Sequence, residues 1–334
     1  MEINSSMIKV IVTTVTIGLV GTSIVYIISK LRSKKLTKPF IPVGVVKKLL
    51  IYPIKSLKPI ECDQVIVKPN EGLYCNQLRD RSFLLVNCKN IFITQRAQPK
   101  LVLLDLQLID NNETIKVTSP DGDSITIPLT IDKNTINNLE IVETKVWDDK
   151  VEGIDCGPEI SKFFSNYLGK LNVRLLRFDK DLIDHRPAQV YSNYKITKDP
   201  TIKIMYQDQA PVLIINDKSV ETLNQLLTEG SISYLNFRPN ILIEAQSFDE
   251  DNWEKLIIGK TKWQQLKKCT RCVMTTINID DGTFMKEPMI TLKKYRNPMG
   301  EDSGYHSPLM GIHVNPEKNG TIKIGDSVLA SHKL

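Results

Sequence analysis

Histidine is scarce in this chain. There are four in 334 residues, His185, His306, His313 and His332, and no two form an H-x-x-x-H pair. The six cysteines include a single C-x-x-C, Cys269 and Cys272. A structural zinc site ordinarily takes four Cys or His ligands, commonly as two close pairs, and the second pair is missing. The other cysteines (Cys62, Cys75, Cys88, Cys156) are too scattered for a compact disulfide framework. No Rossmann glycine fingerprint and no flavin motif occurs, so any redox chemistry must draw its electrons from a partner. The 17 prolines and 16 glycines are thinly spread and no short repeat is visible, which excludes long disordered, collagen-like and solenoid architectures.

Charge is lacking in one place above all. From Val10 to Ser29 the sequence has no charged residue, and at about 1.5 Å per residue those positions span roughly 30 Å, the hydrocarbon thickness of a bilayer. Lys30, Arg32, Lys34, Lys35 and Lys38 follow at once. A cleaved secretory signal would have a shorter apolar run and a small-residue cleavage site. The expectation is therefore a single transmembrane helix whose basic flank, with the body behind it, lies in the cytosol. The mitochondrial outer membrane suits a modestly apolar, Thr-rich span; the endoplasmic reticulum and the peroxisome are the alternatives. Residues 1–38 hold six basic residues and one acidic, leaving only +1 of the formal +6 for everything after Lys38. The basic balance reports a membrane flank, and a nucleic-acid surface drops out.

Beyond a Pro-containing hinge (residues 38–44), strand patterns dominate. VVKKLLIYPIKS reads as a strand entering a loop, LRDRSFLLVN and KLVLLDLQLI as further strands, and TIKVTSPDGDSITIPL as a hairpin turning at Gly122. PEISKFFSNYLG reads as a helix with Pro158 near its start and Gly169 past its end. A second helix is expected around SVETLNQLLTEG, capped by Ser219 and stopped by Gly230. The polar stretch from Asp179 to Asp199 reads as a surface loop and VMTTINI as a strand. Strands outnumber helices and do not alternate with them, which argues against a doubly wound parallel sheet. An α+β, mostly β architecture of two β-rich, barrel-like domains with few helices is expected.

KKCTRCVMTT holds the most suggestive chemistry. A redox dithiol would sit at a helix N-terminus in a βαβ pattern, which this context does not offer. Lys267, Lys268 and Arg271 would favour a thiolate, and a soft thiolate can hold a metal whose remaining ligands come from a cofactor. Two structural cysteines beside a solvated basic turn is the plainer alternative. Three more segments place cations at strand ends: YPIKS with Lys55 and Ser56, LRDR with Arg79 and Arg81, and NFRPN with Arg238. Each alone reads as an ordinary surface or ion-paired residue. Together with a thiolate they describe a site for an anionic, phosphate-bearing, metal-carrying cofactor.

In that order, YPIKS, LRDR, NFRPN, TRCVMTTI and GTIKIGD resemble the MOSC-domain proteins of the mitochondrial amidoxime-reducing component family. The resemblance runs from about Val43 to Leu329. It implies an N-terminal MOSC β-barrel domain (43–170) and a MOSC domain (173–332) behind the anchor and basic segment (1–38). It also implies a molybdenum cofactor, a molybdopterin between the two domains. Lys55, Ser56, Arg81, Arg238, Thr270 and Arg271 would contact the pterin and phosphate, Cys272 would ligate molybdenum, and Cys269 would not. Asp208-Gln209-Ala210 stands where relatives read Asp-Thr-Ser, so hydroxyl contacts there are lost or replaced by the Gln209 amide. His313 stands where a tyrosine is familiar and would be able to change charge near neutral pH. The implied activity is reduction of amidoximes, hydroxylamines and similar N-hydroxylated bases, with electrons from cytochrome b5 and its NADH-dependent reductase. Asp208 is a candidate proton donor, with a structural loop carboxylate as its other reading. A cofactor carrier or sulfur-handling module, and a tethered binding protein with a structural C-x-x-C, are the rival classes.

Overall fold

Residues 38–130, 140–192, 195–298 and 304–333 are described by the computed structural model. The expected anchor, Val10–Ser29, lies outside them. Among the described residues no helix is long and apolar enough to cross a membrane.

The architecture is mostly β, as expected, and is organised on a closed seven-stranded barrel. Its strands are β1 (Ile41–Ile51), β2 (Val212–Asn216), β3 (Ile241–Ala245), β4 (Trp253–Ile258), β5 (Thr261–Thr270), β6 (Leu309–Pro316) and β7 (Ser327–His332). Around the ring they run β3-β2-β6-β5-β4-β7-β1, and β1 pairs back onto β3 to close it. An odd number of strands cannot alternate in direction all the way round, so one neighbouring pair must be parallel. That pair is β2 and β3, and a parallel pair needs a crossover. Val46, Leu49, Ile51, Val212, Ile214, Ile312 and Val314 fill the interior with Trp263.

β1 belongs to the first MOSC-like stretch yet lies between β3 and β7 of the second. In return, Gly320–Lys323 pairs with Gln64–Lys68. The N-terminal stretch otherwise folds into small antiparallel sheets, and Phe40–Leu334 is one compact unit.

The expected hairpin forms from Thr114–Thr118 and Ser124–Pro128, with Gly122 at φ 92° in its turn. Helix α1 (Pro158–Leu168) buries Ile160, Phe164 and Leu168 and ends on Gly169 in the left-handed conformation. Helix α2 (Asp217–Leu226) departs from its expected caps. Asn216 caps it, accepting from Lys218 N, while Ser219 is inside the helix and fully buried, donating to Glu250. The helix stops at Leu226, before Gly230.

The expected loop at 179–199 is instead largely a hairpin of Arg186–Ser192 with Lys195–Ile204. It is only partly buried, so its polar residues are compatible with pairing. The strand expected at VMTTINI begins as a 3-10 turn, Val273–Thr276, because Thr275 and Thr276 hydroxyls donate back to the carbonyls of Cys272 and Val273. KLVLLDLQLI likewise starts as a 3-10 turn (Pro99–Leu103) before its strand (Asp105–Ile109).

Candidate functional site

The eleven residues singled out in the sequence line one cavity of about 490 Å3: Lys55, Ser56, Arg81, Asp208, Gln209, Ala210, Arg238, Thr270, Arg271, Cys272 and His313. Arg79 does not join them; it is buried elsewhere, donating to the Glu71 carbonyl and lying over Tyr74 and Phe178.

A buried carboxylate organises the cationic side. Asp80 is 1% exposed and accepts hydrogen bonds from Tyr52 N and Asn240 Nδ2, each at 2.9 Å, and from Arg81 Nη1 at 2.7 Å. Arg81 and Arg238 lie 4.2 and 4.4 Å from the centroid of the Tyr52 ring, so the ring sets the positions of both guanidiniums. Arg238 also donates to the Leu57 carbonyl at 2.7 Å. Burial brings it down to about 10, which leaves it charged near neutrality.

Lys55 is buried and donates to Tyr206 O at 2.8 Å and Asp208 Oδ1 at 2.5 Å. Burial lowers its affinity for a proton, and Asp208 opposes that. For Asp208, whose side chain is 44% exposed in the cavity, partial desolvation favours the neutral acid. Lys55, the Trp147 indole N–H at 2.9 Å and Arg81 outweigh it and hold the carboxyl well below the usual carboxylate range. Asp208 in this arrangement accepts hydrogen bonds, whereas the expected proton donor would have to be protonated.

Arg271 is 8% exposed, and its guanidinium donates twice to Met310 O and once to Phe237 O. It braces the site while facing it. The two cysteines differ sharply. Both line the cavity, but Cys269, next to last in β5, is buried and burial pushes its thiol up, whereas Cys272 is exposed. His313 corrects an expectation. Buried, and facing Lys267 and Arg271, it is held neutral well below the usual histidine range, so it does not change charge near neutral pH. Its Nδ1 is buried and has no hydrogen-bond partner among the described residues.

Backbone conformation marks the same place. Twelve non-glycine residues have positive φ among the described residues, and seven are Asn or Asp, which tolerate it. Of the other five, Ser56 (76°), Arg81 (49°), Trp147 (58°) and Arg238 (56°) line this cavity. Thr94, Arg96, Trp147, Gln189 and Ser307 also line it and were not singled out in the sequence. For Trp147 one signal was present: a two-residue connection, Trp147-Asp148, between alternating runs, with tryptophan where Gly, Asn or Asp is favoured.

Comparison with known proteins agrees with this geometry. Residues 43–171 match the model of the MOSC N-terminal beta barrel domain, and residues 201–329 that of the MOSC domain. Mitochondrial amidoxime reducing component 2 of Bos taurus is 32% identical over 290 residues, covering 86% of this chain and 83% of its own. Mitochondrial amidoxime-reducing component 1 of Homo sapiens is 33% identical over 296 residues (86% and 82%), and that of Danio rerio 31% over 320 residues (94% and 91%).

Proposed function

Since the chain belongs to the MOSC-domain family of the mitochondrial amidoxime-reducing components, we propose that it is a molybdenum-cofactor-dependent reductase of N-hydroxylated compounds. One observation carries the reading: five cations (Lys55, Arg81, Arg96, Arg238 and Arg271) and one exposed thiol, drawn from five separate segments, face a single cavity of about 490 Å3. Cations at that density suit a phosphate-bearing group, and an exposed thiol suits a soft metal. The Nδ1 of His313, buried and without a partner among the described residues, offers a further polar contact in the same lining. The residues present fit a molybdopterin.

Arg81, Arg238, Lys55 and Ser56 would hold its phosphate side, Thr270 and Arg271 its edge, and Cys272 its metal. When bound, that group supplies two-electron transfer and an acceptor for oxygen. For an amidoxime, two electrons and two protons give the amidine and one water. Asp208 fixes Lys55 and the Trp147 indole and keeps the floor of the cavity anionic beside the cationic cluster, while Cys269 fills core. Electrons come from cytochrome b5 and its NADH-dependent reductase. Val10–Ser29 tethers the body to the cytosolic face of the mitochondrial outer membrane, where a shared surface raises the partners' effective concentration.

The test is metal analysis of protein made in a host that synthesises molybdopterin, with Cys272→Ser and Cys269→Ser beside the wild type. Near-stoichiometric molybdenum in wild type and Cys269→Ser is expected, with loss or an altered metal spectrum in Cys272→Ser. Zinc, or a folded wild type with no metal, overturns the reading. A carrier would bind molybdenum and still reduce no amidoxime with the electron chain reconstituted.

A further inference from the structure

Beside the reacting cavity lies a second, larger groove of about 820 Å3. Trp147 lines both. It occupies the first position of the two-residue turn joining Ile141–Val146 to Asp149–Asp155, at φ 58°. A bulky ring in the left-handed region is strained and persists only where its surroundings hold it. Here they do. Its indole N–H donates to Asp208, its ring packs edge-to-face with Phe92 at a centroid distance of 5.2 Å, and the Arg96 guanidinium lies 4.3 Å from the ring centroid. Even so, Trp147 remains 44% exposed, and Ile91 beside it is 56% exposed.

The remaining apolar lining comes from Phe92, Val151 and Ile183. Its three lysines (Lys89, Lys145, Lys150) are matched by three carboxylates (Glu143, Glu152, Asp184), so the groove selects no charge. His185 is held below the usual histidine range by burial and by Arg79 and Lys203, and adds none near neutrality. The volume lies within the range of small-molecule sites. Aromatic walls without net charge suit an uncharged, planar body, and an aromatic amidoxime is uncharged near neutral pH.

We propose that this groove is the subsite for the planar aromatic body of the substrate, and that Trp147 is the specificity-determining wall between it and the reacting cavity. The assignment rests on the reductase reading for its substrate class. It predicts discrimination: a substrate with an aromatic body gains contacts that hydroxylamine, which has no body, cannot make.

Two measurements separate the subsite from the chemistry. The first is titration of benzamidoxime into metal-free protein while following tryptophan emission. Trp253 and Trp263 are fully buried, so a saturable change reports Trp147. Ile91→Asp keeps the fluorophore and should weaken the apparent affinity at least fivefold. No saturable change in wild type, or equal affinity in Ile91→Asp, overturns the subsite. The second is the ratio of kcat/KM for benzamidoxime over hydroxylamine in loaded enzyme. Trp147→Asn, which the turn accepts, should lower that ratio tenfold or more through KM. An unchanged ratio overturns the subsite while leaving the reductase standing. If loaded enzyme reduces neither compound, the reductase reading falls and the emission titration still decides the groove.

Discussion

Lys267 is a buried ammonium that costs the fold stability, and replacing it should stabilise the protein. It sits on β5 opposite His313, 2% exposed, and its ammonium has no hydrogen-bond partner among the described residues. Burial and, to a lesser degree, Arg271 bring it from the ordinary 10.5 down to about 8, against an opposing pull from Cys269. A displacement of that size corresponds to about 3 kcal/mol against the charged form. Below pH 8 the lysine is protonated both folded and unfolded, and the full penalty applies. Between about 8 and 10.5 the folded protein loses the proton while the unfolded chain keeps it, so wild-type stability climbs with pH. Lys267→Met keeps the length of the stem and removes the charge. In metal-free protein its urea midpoint should exceed that of wild type at pH 7 by the equivalent of about 3 kcal/mol. The gap should narrow steadily to pH 10. A gap that is constant over that range, or a variant less stable at pH 7, would refute the reasoning and mean that the amine has a partner in solution.

Two further predictions follow from buried carboxylates. Glu250 is fully buried, and burial pushes it up to about 7 despite hydrogen bonds from Asn216 and Ser219. Between about 4.5 and 7 the folded protein keeps a proton that the unfolded chain releases, so stability falls as pH rises through that window. Glu250→Gln should therefore melt above wild type at pH 8 and match it at pH 4.5 by calorimetry; the opposite ordering would show the carboxylate is well solvated. Asp80→Ala strands the Arg81 guanidinium and the donors Tyr52 N and Asn240 Nδ2. Removing one partner of such a buried set costs about 3–5 kcal/mol. Its urea midpoint and its affinity for pyrophosphate should both drop, and retention of either at wild-type level would remove Asp80 from its organising role.

The cationic half of the site was legible because its chemistry needs particular residue types at particular places. A lysine in a Pro-bounded loop and arginines just before apolar runs can be recognised without coordinates, and Lys55, Arg81 and Arg238 do converge. Burial was not legible. His313 looked like a pH-sensitive donor by residue type, and only its burial, with Lys267 and Arg271 beside it, shows that it stays neutral. Local hydrogen bonds misled as well: Ser219 has the type of a cap, but Asn216 was three residues earlier and took the role. The hairpin at 186–204 read as a loop because it is only partly buried and lacks the alternation that marks a core strand. Trp147 was missed for a different reason. Its turn was visible, but nothing in a two-residue connection says which cavity the turn overhangs.

The left-handed residues tie these observations together. Ser56, Arg81, Trp147 and Arg238 come from four separate segments, and each conformation costs of order 1 kcal/mol or more. Neighbouring backbone bonds hold them: Arg81 N donates to Tyr52 O at 2.7 Å, and Arg238 N to Leu235 O at 3.1 Å. At the end of a strand or helical turn, a switch to positive φ turns the chain sharply, so the side chain can face the cavity while a new strand or turn starts just beyond it. Phe83–Val86 begins two residues after Arg81, and β3 three after Arg238. Glycine would adopt each conformation without steric cost. It would carry no hydroxyl, cation or ring into the cavity. Phe248 is the one such residue outside the cavity; at the other four the strain falls where the turn and the side chain are needed at once, and so it gathers at the candidate site.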